Sequence, residues 1–160
     1  RVWFGVLGLG SQEDAMVQAQ FPPIEITIGE MIPFPKPEYM DRLVRGNYQI
    51  NPGKHRYGFE SFLLDGERLP LGDQVLERAA VRKTSSGLQH ALYLLKNQHL
   101  IPAELRGKYL LFTDAVMVDV NGRWCVAYLE WNHNAWYLGW LWLSYNFTGD
   151  GLLVRTEQVA

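Results

Sequence analysis

The chain has 160 residues, of which 48% are hydrophobic, and a formal net charge of −2. That length suits one domain, residues 1-160, and the apolar content excludes a disordered chain. The slight acidity gives no broad attraction to nucleic-acid phosphates or to an anionic membrane.

The opening RVWFGVLGLG is apolar for only ten residues, short of the ~20 that a bilayer span needs. No small-residue cleavage site follows it cleanly, so it does not read as a secretion signal, and the absent initiator Met suggests a processed or trimmed start. Gly5, Gly8 and Gly10 read GxxGxG, which is not the order of a dinucleotide-binding turn.

Ile24 to Ile28 alternates apolar and polar residues and predicts a half-buried strand. The proline-rich run that follows, with Pro33, Pro35 and Pro37, reads as an extended surface connector. Arg42, Arg45, Lys54, His55 and Arg56 read as solvated surface charge, because carboxylates are interspersed. YGFESFLLDGERLPL predicts a hairpin turning at Asp65-Gly66. Asp73 is placed to cap a helix to about Lys83, and Ser86 with Gln89 forms a capping box for a second. The helical segment thus covers about 73-99. Leu88, Ala91, Leu92 and Leu95 make its aliphatic stripe, and His90 falls off that stripe, as a solvated residue would.

From Lys108 the pattern turns to strands, a β-meander over about 108-156. Asn121-Gly122 signals a hairpin, and a two-residue loop there would set Val118 opposite Cys125. The next turn, around Asn132-His133-Asn134, admits two registers. A three-residue loop faces Trp124 with Trp142 and gathers Trp124, Tyr128, Trp136, Trp140 and Trp142 on one side. A two- or four-residue loop pairs Trp131 with Trp136 and lays Trp140 over Ala127 and Trp142 over Cys125. Packing large against small favours the second. In both, Trp136 to Leu143 is apolar on both faces, as in a central, mostly structural strand.

The fold class expected is α+β, an antiparallel sheet of six to eight strands, a meander or partial barrel, with one or two helices on one face. Known reaction motifs are missing: no GxSxG, phosphate loop, HExxH or CxxC occurs. No metal and no cofactor is expected. Cys125 is the single cysteine, so no intrachain disulfide can form and a cytoplasmic location fits.

The functional expectation is a non-catalytic binding or protein-interaction module, engaging its own kind or another protein. Its ligand-binding candidates are Trp131, Asn132, His133, Asn134 and Trp136 at the tip, with Trp124. The alternative is an enzyme on a small or nucleotide-like molecule, with Glu130, Asp114 or His133 moving protons in an aromatic pocket. A single-stranded nucleic-acid binder comes third, disfavoured by the charge.

Overall fold

The computed structural model describes residues 21–46, 50–84 and 86–159. The glycine-rich opening therefore lies outside the described residues. Among the described residues there are seven strands and two α-helices: β1 (Ile24–Ile28), β2 (Met40–Arg45), β3 (Gly53–Ser61), α1 (Gly72–Arg82), α2 (Leu88–Lys96), β4 (Tyr109–Asp119), β5 (Trp124–Asn132), β6 (Ala135–Trp142) and β7 (Gly151–Gln158). The class is α+β and dominated by one sheet.

That sheet is open and mixed. Its order is β1-β3-β7-β4-β5-β6, and β2 also joins β4. One pair is parallel, Tyr109–Leu111 of β4 against Gly151–Leu153 of β7. The meander therefore ends at β6, and β7 does not return beside it. The reason lies in the segment after β6. Gly72 N–H donates to the Tyr145 carbonyl at 2.9 Å and Phe147 N–H to the Pro70 carbonyl at 2.7 Å, which draws the chain under the start of α1. A Cβ on Gly72 would stand 2.8 Å from the Leu143 backbone, so this crossing requires glycine.

The helices lie on opposite faces rather than on one. Val75, Leu76 and Ala79 of α1 pack with Leu111, Val126, Leu153 and Phe147. Leu88, Ala91, Leu92 and Leu94 of α2 pack with Leu110, Phe112, Ala127, Leu129 and Val154. Alternate residues of each strand feed these two clusters, as the pleat demands.

One long edge of β4 serves two strands. β7 takes Tyr109–Leu111 and β2 takes Val116–Asp119. Between them, Thr113, Asp114 and Ala115 bulge, with Phe112 opposite Ala127 and Val116 opposite Val126. The Asp114 N–H is satisfied by the Ser86 carbonyl at 2.9 Å.

Several local expectations change. Asp65-Gly66 does turn, with Gly66 at φ 78, but no return strand follows. The first residue of the second helix is Leu88, capped at Gly87, and Gln89 is drawn elsewhere. Its amide accepts the Ile32 N–H at 2.9 Å and donates to the Ile32 carbonyl at 2.9 Å, pinning the proline-rich connector onto α2. The Asn121 hairpin has a three-residue loop, because Asp119 pairs with Arg123 (N–H to carbonyl, 2.8 Å) and Gly122 takes φ 83. Val118 therefore faces Trp124, and Met117 faces Cys125.

Candidate functional site

The hairpin between β5 and β6 adopts the register with Trp131 opposite Trp136, Ala127 opposite Trp140 and Cys125 opposite Trp142. Its loop is His133-Asn134, and His133 sits at φ 61. Histidine tolerates that left-handed conformation better than most side chains. The tryptophans at positions 131, 136, 140 and 142 thus share the α2 face, while Trp124, Tyr128, Glu130, Tyr137 and Leu141 share the α1 face.

The predicted cluster at the tip divides. Asn132, His133 and Asn134 are exposed. Trp136 is 2% exposed and belongs to the core. Trp131 is half-buried between Trp136, edge to face at 6.0 Å, and the Arg106 guanidinium, 3.9 Å above its ring. Trp124 is 50% exposed but lies at the opposite end of β5 and on the other face. The three groups considered for proton transfer are separated. Asp114 is in the β4 bulge, His133 is at the tip, and Glu130 pairs across from Tyr109.

Glu130 does border a cleft of about 170 Å³ with Tyr109, Tyr128, Leu141 and Tyr145. Burial raises the Tyr128 and Tyr109 phenols, so both remain protonated near neutrality. Arg42 and Arg56 are paired with Asp41 and with Glu25 and Glu157, on strands across β4 from the rings. Among the described residues, no three His, Cys, Asp or Glu side chains gather as metal ligands would. No described helix is long and apolar enough to cross a membrane.

Sequence reasoning missed the position of β6. Apolar on both faces, it reads as a central strand, yet among the described residues it is the last strand of the sheet and pairs with β5 alone. The alternation of its hydrogen bonds shows which groups face outward. Leu143 N–H donates inward to the Trp124 carbonyl at 3.0 Å, whereas Trp136 N–H points out and is taken by Gln98 Oε1 at 2.8 Å. Leu138, Trp140 and Trp142 share the outward orientation of Trp136. Beside this edge, Tyr137 and Tyr145 are each 54% exposed.

The far end of the hairpin is locked by Asp119. Its carboxylate accepts the backbone N–H of Asn121 and of Arg123 (both 2.9 Å), Arg123 Nε at 2.9 Å and the Trp142 indole at 3.2 Å. Burial pushes this carboxyl up, but those donors outweigh it and hold it below the usual range. Arg123 then lies 4.0 Å above the Trp142 ring. Cys125 sits behind this lock, 1% exposed, its thiol pushed up to about 11 chiefly by burial.

Comparison with protein-family models, with curated proteins and with solved structures finds no match to this chain.

Proposed function

We propose that this chain is a non-catalytic binding module that recognises protein through the free edge of β6 and the aromatic side chains flanking it. One observation carries the reading. β6 is an edge strand of eight residues, AWYLGWLW, with no Lys, Pro, charge or bulge. Proteins that leave such an edge unused blunt it by one of those devices or cover it, and the described residues that reach this one are Gln98 and Tyr145, at its two ends. An added strand gains main-chain hydrogen bonds there, and the rings beside it supply contact area.

The test is an amide NMR titration with a soluble Thr/Val-rich strand peptide flanked by lysines. Shifts centred on Leu138 and Trp140 support the reading. An unmoved β6 at saturating peptide, in a chain that is monomeric at the concentration used, overturns it.

The enzyme reading keeps one observation, the Glu130 cleft beside three tyrosines. At about 170 Å³ it is smaller than the ~300–1,000 Å³ of small-molecule sites, and no second carboxylate and no histidine lines it. A small-molecule library that shifts Glu130 and Tyr145 but not Leu138 would favour catalysis.

A further inference from the structure

The outward groups of β6 are not equally free. Trp136 N–H is held by Gln98 Oε1 at 2.8 Å, and the Trp142 carbonyl accepts Tyr145 N–H at 3.1 Å. Among the described residues, the groups left for another chain are the N–H and carbonyl of Leu138 and of Trp140, the Trp136 carbonyl and the Trp142 N–H.

We infer that the partner of this edge is a second copy of the same chain, joined through β6 antiparallel to β6 about a two-fold axis at Gly139. This rests on the reading of β6 as a docking edge. In that register Leu138 lies opposite Trp140 of the second copy, and each exchanges both main-chain bonds with the other. Trp136 lies opposite Trp142 of the second copy, so the open Trp142 N–H meets the open Trp136 carbonyl. The two groups already used, Trp136 N–H and the Trp142 carbonyl, are the ones that face each other. Sliding the register by two residues either way puts an occupied group against a free one. The edge is thus complementary to itself in one register, the requirement of an isologous interface.

The side chains agree with this register. Residues that pair must share a face. Leu138 meets Trp140 on the α2 face, and Tyr137 meets Leu141 on the α1 face. Gly139 meets itself on the axis, where strands approach to ~4.5 Å between Cα atoms. The space of its missing Cβ is taken by the ring of its own Tyr128, 2.7 Å away, so nothing projects into the junction. β6 carries no charge, so two copies do not repel along it. The exposed His133-Asn134 turn of one copy comes beside Tyr145 of the other.

The area fits a modest dimer. Tyr137 and Tyr145, each 54% exposed, each offer on the order of 100 Å². Two copies bring on the order of 400 Å² from these rings, about a third of what a small specific interface buries. Leu138, Trp140, Leu141 and the main chain add to it.

The test is sedimentation of the chain from micromolar to near-millimolar concentration, beside Tyr137→Lys. The expected mass rises from the 18.4 kDa of one chain towards twice that, and the lysine variant, with its fold unchanged by circular dichroism, stays at the lower mass. The register is read by disulfide capture. The Tyr137→Cys/Leu141→Cys double variant should cross-link under mild oxidation, because positions 137 and 141 of two copies lie within the ~7 Å that a disulfide spans. Either single variant should not, since its equivalent lies four residues further along. Cross-linking of a single variant as readily as the double overturns the register. A monomer across the whole series overturns the inference. If that monomer still binds the Thr/Val peptide at Leu138 and Trp140, the docking edge stands and only its occupant is wrong. If it binds neither, both readings fall.

Discussion

His90 of α2 places its Nε2 3.4 Å from Nδ1 of His55 on β3, with the two rings edge to face at 5.3 Å. Only one arrangement of protons satisfies this pair. Gly87 N–H donates to His90 Nδ1 at 3.3 Å, which puts the His90 proton on Nε2, facing His55. His55 then accepts at Nδ1 and donates from Nε2 to the Asn51 carbonyl at 2.8 Å. In this chain of donors a proton added to His90 Nδ1 would stand opposed to the Gly87 N–H.

The consequence is a pH-dependent stability. Burial first, then His55, lowers His90 from the ordinary 6.5 to about 4. Between those values the unfolded chain binds a proton that the folded chain does not. The contribution of His90 is therefore complete above about 6.5 and lost as the pH falls towards about 4. A shift of this size is worth about 3 kcal/mol. Urea midpoints measured from pH 7 to pH 4 should fall through that window, and His90→Gln should flatten the slope. An unchanged slope would remove His90 as its source.

Tryptophans on one hairpin should behave oppositely. Trp136→Ala removes a 2% exposed core ring and should cost about 3–5 kcal/mol in a denaturant titration. Trp124→Ala removes a ring that is 50% exposed, and the change should stay within about 1 kcal/mol. Equal losses would show that the burial assigned to β6 is wrong.

Gly72→Ala should destabilise the chain by about 1–3 kcal/mol, since the added methyl meets Leu143 backbone and the Phe147 ring at 2.8 Å. Calorimetry of the variant checks it. A neutral outcome would mean that α1 can lift away from the segment after β6.

Cys125, 1% exposed with its thiol raised to about 11, should resist Ellman's reagent at pH 8 and react at once in denaturant. Fast labelling of the folded chain would contradict its place behind Trp142 and Asp119.

These positions also show which features could be read before the fold was known. The β5–β6 register was legible because small residues, Ala127 and Cys125, alternate with large ones and fit Trp140 and Trp142. His90 was misread because helical spacing marks one stripe, while α2 is enclosed on a second side by β3 through Tyr57, whose hydroxyl donates to the His90 carbonyl at 2.8 Å. The Asn121-Gly122 loop gained a residue because the Asp119 carboxylate rewards the wider turn with two backbone donors. The edge status of β6 had no local signal, since it depends on where the chain goes after Tyr145. Gln98 and Arg106, which cover Trp136 and Trp131, lie outside the hairpin and carry no pattern of their own.

The division of the β4 edge between two strands has a consequence for the order of assembly. Among the described strands, β1 and β3 reach the rest of the sheet only through β7, where His55 pairs with Gln158 and Phe59 with Val154. Strands made early therefore cannot enter the sheet through this pairing until the last is in place. Closing so long a loop is slow compared with zipping the β4–β5–β6 hairpins. The hairpins should form early, with the β1–β3 pair waiting outside, and the arrival of β7 completes the sheet.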